Sequence, residues 1–439
     1  MKPVKIGVAG LGTVGCGTVN VLNRNSDEIS RRAGRGVVVT RALVNDLHKP
    51  RSCSLDGIEV TDNPADLIND PEIDIIVELV GGDSGVAHDV AMTALENGKH
   101  LVTANKALIA LRGNELFETA QKKGVTVAFE AAVAGGISII KAIREGLAGN
   151  RVERLAGIIN GTSNFIMSEM RAKQRDFADV LSEAQKLGYA EADPTFDIEG
   201  IDAAHKLTIL ASIAFGIPLQ FEQVFIEGIS NINSEDVQNA ANLGYRIKHL
   251  GIASRVEKGI ELRVHPCLVP ESRLLANVEG VMNAILVVGD AVGPTLHYGA
   301  GAGSDPTASA VVADIVDVVR TLTTDPENRV PHLAFQPGSL SDLPILPIGE
   351  VRCCNYLRLS AINRPGVLAE ITRILGDLDI SIAAIQQFGN GEHEAVMPII
   401  IVTQSTLEKN MESAIEQLQA LDSVNGEISR LRLEHLDWD

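Results

Sequence analysis

A chain of 439 residues is longer than one ordinary core supports and points to two to four domains. With 45% hydrophobic residues, 40 glycines and only 3% aromatics, the composition favours α/β domains with many strand-to-helix turns and cores of Val, Ile, Leu and Ala. The formal charge of −19 argues against nucleic acid or an anionic membrane as partner, because either requires a basic surface. The opening MKPVKIGVAG enters a strand-like run without the apolar core and cleavage site of an export signal. The longest uncharged run, 207–221, is shorter than the ~20 residues that cross a bilayer. Cys16, Cys53, Cys267, Cys353 and Cys354 are odd in number and scattered, which fits a reducing, cytoplasmic setting, and no cysteine or histidine cluster has zinc-ligand spacing.

The first predicted unit is a strand over 5–9, a glycine turn G10-L-G12-T-V-G15, and a helix with apolar residues at helical spacing. Gly10, Gly12 and Gly15, with Thr13 and Val14 between them, would let a pyrophosphate approach the helix N-terminus; an ordinary strand-to-helix turn is the plain alternative. Further strand–helix units follow at GVVVTRALVN, DIIVELVGG, HLVTANKALIA and VTVAFEAAVAGG, so a doubly wound parallel sheet is expected over 1–135. Lys106 falls at the carboxyl end of a predicted strand, where open α/β sheets gather ligands.

From residue 136 to 325 the pattern changes to longer strand-bearing segments, read as a second α/β domain. Residues 188–206, GYAEADPTFDIEGIDAAHK, place five carboxylates and one lysine beside an apolar helix. Asp202 and Lys206 stand four apart on that helix and share a face. A surface ion pair is the plain reading of such spacing, but the apolar continuation puts this pair at a buried wall, where an unpaired lysine is costly. His205 points about 100° away from Lys206 and has no assigned role. The 304–322 stretch predicts a long helix capped by Ser304 or Asp305, with Pro306 in its first turn. Five of the chain's 17 prolines fall between 326 and 347, which marks 326–349 as a linker. Residues 350–439 then read strand, helix, strand, strand, helix, strand.

The segment AQKLGYAEADPTFDIEGIDAAHK resembles the signature of homoserine dehydrogenases, with Gly188, Asp193, Pro194, Asp197, Gly200, Asp202 and Lys206 at the family spacings. The βαββαβ tail, with Asn363-Arg364-Pro365-Gly366 at its first turn, is similar to an amino-acid-binding ACT domain. The resemblance implies a Rossmann-like nucleotide domain, an α/β catalytic and oligomerisation domain whose last helix returns to it, and an ACT regulatory domain. It implies reversible reduction of L-aspartate 4-semialdehyde to L-homoserine by NADPH or NADH, in threonine, methionine and isoleucine biosynthesis. Lys206 then becomes the proton donor, oriented by Asp202; Lys106 binds substrate or nicotinamide and is a second candidate for proton transfer. Glu191 and Asp197 become substrate ligands, while Gly188 and Gly303 lie against the cofactor. Main-chain groups of Glu130, Val133, Gly135 and Ile137 become ligands of a sodium ion, for which a glycine-rich turn is the plain alternative.

Two positions depart from the family pattern. Asn45 stands where an arginine suited to a 2′-phosphate is common, so NAD or NADP stays open between Asp46 on one side and His48, Lys49 and Arg51 on the other. Ala300 also stands where arginine is frequent. The implied partners are the small-molecule substrate, an L-threonine effector and further copies in a dimer or tetramer. A sensor that has kept the fold and lost catalysis is the rival reading, against which the intact Asp202, Lys206 and Lys106 speak. If the tail is a separable sensor, a chain ending near Asp342 stays active and stops responding, provided the tail is not needed for folding.

Overall fold

The computed structural model describes residues 2–387 and 395–437, which form two compact units. The first comprises 1–161, 202–224 and 281–343; the second comprises 162–201, 225–280 and 344–439.

In the first unit, six parallel strands lie in the order Glu59–Thr61, Val37–Leu43, Val4–Ala9, Ile75–Glu78, His100–Thr103, Val127–Ala128. The order reverses direction on either side of Val4–Ala9, and this is where doubly wound sheets leave a crevice at their carboxyl edge. The middle strands are buried on both faces, which is why Ile75–Glu78 and His100–Thr103 lack polar alternation. Helix Thr13–Arg24 packs through Cys16 and Val19 against Ala308, Val311 and Ile315 of helix Ser304–Thr321. Contact is close because Gly17 has no side chain: a Cβ there would stand 2.6 Å from Ser304 Oγ. The cap of helix Ser304–Thr321 differs from expectation. Gly303, at φ +132°, is its N-cap; Ser304 Oγ instead donates to Thr13 O at 3.0 Å, and Asp305 pairs with Arg24 at 3.2 Å. Three antiparallel strands, Val152–Ile158, Met282–Gly289 and Gly293–Ala300, complete this unit's β structure.

The proline-rich stretch carries only short 3-10 turns, as its composition predicts, but it is tied down. His332 accepts from Val127 N at 3.0 Å and stacks on Phe117, and Phe335 closes over Gly216.

The second unit is built on six strands in the order Tyr245–Val256, Gly259–Pro270, Val424–Leu433, Arg352–Ile362, Val396–Thr403, Ile382–Gln387. The last four, with helices Val367–Asp377 and Glu408–Gln419, form the expected βαββαβ module. It is not a separate body. Val424–Leu433 pairs in parallel with Gly259–Pro270 through Cys267↔Arg432 and Leu268↔Leu433, so one sheet runs from the 245–270 hairpin into the tail. Tyr356, Ile400, Leu431 and Leu433 of the tail share a core with Phe165, Ile166, Met170 and Val180. Charges are buried along the same seam: Arg432 pairs with Glu227 at 2.7 Å and Glu408 at 2.8 Å, and Arg358 with Asp236 at 2.7 Å.

Removing those four tail side chains withdraws roughly 6–12 kcal/mol of burial, at about 1.5–3 kcal/mol each, which matches the whole stability of an ordinary domain. It also leaves Asp236 and Glu227 without their arginines. A chain ending at Leu343 is therefore expected to lose the cooperative unfolding of the second unit, measured by calorimetry and solubility. Cooperative unfolding with full activity in that truncated chain would show that the tail is a dispensable appendage.

Candidate active site

The helix Ile201–Phe215 buries every residue from Asp202 to Phe215, so its first turn must neutralise two ionisable groups inside the protein. Asp202 and Lys206 pair at 2.7 Å through Oδ2. Lys206 Nζ also donates to Ile159 O at 2.8 Å, and Asn160 Nδ2 donates to Asp202 Oδ2 at 2.8 Å. The other carboxylate oxygen, Oδ1, lies 3.0 Å from Lys106 Nζ. One carboxylate thus holds two lysines. Lys206 is the buried member, with 11% of its side chain exposed; Lys106, at 36%, is the more accessible.

Lys106 is set by the sheet beneath it. It opens helix Lys106–Lys123, whose N-cap Asn105 accepts from Leu108 N at 3.1 Å and donates to Gly82 O at 2.6 Å. Thr103 Oγ1 accepts from Asn105 N and donates to Glu78 Oε2 at 2.6 Å, and Glu78 Oε1 accepts from Val80 N at 2.8 Å. This chain ties the ends of two neighbouring strands together. A lysine at a helix N-terminus opposes the helix dipole, and Asp202 offsets that cost.

Burial acts to raise the Asp202 carboxyl, but Lys206, Lys106 and the Lys206 and Asn160 hydrogen bonds outweigh it and hold the group below the usual carboxylate range. His205, next to Lys206, is buried against Phe221 at 4.5 Å between ring centres, and burial pushes it down to about 4.

The glycine turn fits a dinucleotide. Gly10 has φ +98° and a Cβ there would lie 2.6 Å from Leu79 O; a Cβ on Gly15 would lie 2.0 Å from Gly10 O. Gly12, the N-cap of helix Thr13–Arg24, has open space where its Cβ would be, and no side chain caps that helix. Helix N–H groups and space for a phosphate meet there, flanked by Thr13 and Val14. Asn45 is exposed just past strand Val37–Leu43. Arg51 bridges the two loops, donating to Leu11 O at 3.1 Å and Asp46 O at 2.7 Å, and the Asp46 carboxylate accepts from His48 N at 2.8 Å. Ala300 contributes its carbonyl, which accepts from Gly136 N at 2.9 Å.

At residues 130–137 the chain turns back through Ala134, at φ +48°, and packs so closely that a Cβ on Gly135 would lie 2.6 Å from Thr307 Oγ1. The Glu130 carboxylate accepts from Ile140 N and Lys141 N, both at 2.9 Å, and Glu130 N donates to Asp314 at 2.7 Å. Burial raises both carboxyls, Asp314 to about 7. The Glu130 side chain is engaged by the backbone, and in the same turn the carbonyls of Glu130 and Ile137 accept from Val133 N at 3.4 Å and Ile139 N at 2.8 Å. Among the described residues no cluster of three or more His, Cys, Asp or Glu forms a metal site, and no helix is long and apolar enough to cross a membrane.

The remaining candidates lie in the second unit. Gly188 takes φ +76°. Exposed Glu191 has its carbonyl held by Gln185 Nε2 at 3.1 Å. Thr162 Oγ1 lies 2.7 Å from Tyr189 O and 3.1 Å from Asp197 Oδ2, and Ser163 Oγ donates to Asp197 O at 3.0 Å, so Asp197 shapes its loop. Asn160 and the Glu78–Thr103–Asn105 chain escaped the sequence reading. Each is an ordinary polar residue at a strand end, and only the fold shows its partner.

Three family profiles match the chain: "Homoserine dehydrogenase, NAD binding domain" over 10–130, "Homoserine dehydrogenase" over 139–316 and "ACT domain" over 355–423. The homoserine dehydrogenase of Pseudomonas aeruginosa is 60% identical over all of both chains, and that of Neisseria gonorrhoeae 54% identical over 99% of this chain and 100% of its own. The crystal structure of a homoserine dehydrogenase from Thiobacillus denitrificans superposes with a TM-score of 0.94 at 63% identity, covering 99% of each chain. A hyperthermophilic archaeal homoserine dehydrogenase in complex with NADPH gives a TM-score of 0.60 at 26% identity over 73% of this chain and 98% of its own.

His205 is one of several histidines, with His100 and His332, that burial holds down to about 4. A histidine whose folded value is about 4 stays neutral while the unfolded chain, near 6.5, takes up a proton, so folding stability falls as pH drops from 6.5 to 4. Asp202 adds a loss only further down, as pH falls through its depressed value. His205→Gln should therefore lose less melting temperature than the parent chain between pH 7 and pH 5. Equal losses in calorimetric scans would mean that His205 is charged in the folded state.

Proposed function

Since the chain belongs to the homoserine dehydrogenase family and is an NAD(P)-dependent oxidoreductase, we propose that Lys206 is its proton donor and acceptor in interconverting L-aspartate 4-semialdehyde and L-homoserine. The observation that carries this is the Asp202 carboxylate held between Lys106 and Lys206. The nicotinamide cofactor, with its pyrophosphate at the Gly10–Gly15 turn, would supply or accept hydride. As the aldehyde carbon gains hydride its oxygen gains negative charge, and a centre with two lysines and one carboxylate has positive charge to meet it. Lys206 Nζ gives its proton to that oxygen in reduction and takes the proton from the hydroxyl in oxidation. Asp202 and Ile159 O fix Nζ, and Asn160 fixes Asp202. Lys106 binds and orients the substrate; Glu191 and Asp197 serve as substrate ligands, with Asp197 also shaping the loop.

Sodium held by main-chain oxygens of Glu130, Val133, Gly135 and Ile137 would brace the loop between the nucleotide sheet and the segment that follows. Gly188 and Gly303 would lie against the cofactor. The division into a nucleotide domain over 1–135, a catalytic domain over 136–325, a linker over 326–349 and an ACT domain from 350 describes roles in this reading, with L-threonine as the effector of the last. Five free cysteines support a cytoplasmic setting, and a dimer or tetramer is the assembly carried over from the family.

Lys206→Ala should lower kcat by about a hundredfold or more with cofactor affinity nearly unchanged, and Asp202→Asn should be milder, since it keeps the shape and removes the charge. Initial rates with homoserine and NAD or NADP check this, and near-normal turnover in Lys206→Ala would assign proton transfer to another group. Asn45→Arg should move the ratio of kcat/KM toward NADP by adding a charge-assisted phosphate contact. An unchanged ratio would mean that the loop holding Arg51 already decides the preference.

A further inference from the structure

Glu78, the last residue of strand Ile75–Glu78, has none of its surface exposed, and among the described residues no basic side chain pairs with it. A buried carboxylate left that way is costly, so hydrogen-bond donors must do what a cation usually does. Here the donors come from two segments. Oε1 accepts from Val80 N at 2.8 Å and Gly81 N at 3.2 Å, in the loop that continues its own strand, while Oε2 accepts from Thr103 Oγ1 at 2.6 Å on the neighbouring strand. These bonds, with Asn105, oppose the rise that burial imposes on the carboxyl.

Both arms lead to the candidate active site. The loop arm follows Leu79, whose carbonyl oxygen lies against the dinucleotide turn at Gly10, and its Gly81 and Gly82, at φ +88° and +85°, face open space. The strand arm reaches Lys106 in two steps. Thr103 Oγ1 accepts from Asn105 N at 3.0 Å, and Asn105 caps the helix that Lys106 opens. Asn105 Nδ2 then joins the two arms by donating to Gly82 O at 2.6 Å. Lys106 leaves this frame with its Nζ 3.0 Å from Asp202 Oδ1.

We propose that Glu78 is a positioning residue for the reaction: through Thr103 and Asn105 it fixes the start of helix Lys106–Lys123, and thereby the place from which Lys106 meets Asp202 and the substrate. The proposal rests on the reading of Lys106 as the residue that binds and orients substrate, and it assigns the accuracy of that placement to a fully buried carboxylate. Glu78→Gln separates the two arms. It keeps one acceptor oxygen, enough for Val80 N and Gly81 N, but turns an amide donor toward Thr103 Oγ1, whose hydroxyl proton loses its acceptor. Thr103→Val removes the same arm at nearly the same shape.

In the full chain, both variants should raise KM for homoserine about tenfold and leave kcat within about threefold. The dissociation constant of the reduced cofactor, read from its fluorescence without substrate, should stay within about twofold, because the loop arm is kept. A double-mutant cycle with Lys106→Ala distinguishes positioning from general loosening. If Glu78 acts through Lys106, Glu78→Gln costs less than about twofold in kcat/KM once the lysine is gone. The full cost of Glu78→Gln in the Lys106→Ala background would overturn the proposal, as would an unchanged KM in both single variants. Should Glu78→Gln fail to fold, Thr103→Val carries the same cycle to the same decision. An unaltered KM for homoserine in Lys106→Ala would instead overturn the reading of Lys106, and the proposal with it.

Discussion

The buried carboxylate of Asp202 is the constraint around which the catalytic half of this molecule is arranged. Moving one carboxylate out of water costs several kcal/mol, and removing one partner of a buried pair typically costs about 3–5 kcal/mol. Asp202 is therefore stable in place only because Lys206, Lys106 and Asn160 converge on its two oxygens. Each of these comes from a different part of the chain. Lys206 is one helical turn away, Asn160 follows strand Val152–Ile158, and Lys106 follows strand His100–Thr103. The need to neutralise one charge thus fixes a strand end of the parallel sheet against the helix that carries Lys206.

The same logic, applied to a different seam, explains why the tail is not a detachable module. Parallel pairing of Gly259–Pro270 with Val424–Leu433 makes one sheet of what the sequence presents as two segments. The ion pairs Arg432–Glu227, Arg263–Glu434 and Arg358–Asp236 then make separation expensive, because pulling the tail away would strand their charges. The tail and the signature loop belong to one compact unit: the tail joins the 245–270 hairpin by strand pairing, and the loop is held to the neighbouring segment by Ile229 N donating to Ile198 O at 2.8 Å.

Local chemistry was legible in the sequence wherever it depended on neighbours a few residues away. The i,i+4 placement of Asp202 and Lys206, the Gly10–Gly15 turn, and Lys106 at a strand end all follow from spacing, and the structure places each where that spacing implies. Asn160 and Asn105 were not legible, because an asparagine after a strand looks the same whether it faces water or a buried carboxylate. Nor was the fate of Ser304, which spacing marks as a helix cap; a glycine one residue earlier took that role and freed the hydroxyl to hold Thr13. The continuity of the second unit was hidden for a different reason. It depends on a pairing between strands far apart in the chain, and alternation within each strand does not encode its partner.

If Asp202 works by holding the two lysines as one charged unit, its effect and that of Lys206 on catalysis cannot be independent. A double-mutant cycle on kcat/KM with Asp202→Asn, Lys206→Ala and the pair tests this most directly. The account predicts that the double variant falls by clearly less than the product of the two single losses, because in Lys206→Ala the Asp202 carboxylate has only Lys106 left to hold. Losses that simply multiply would show that Asp202 and Lys206 act separately and would contradict the central role given to their ion pair.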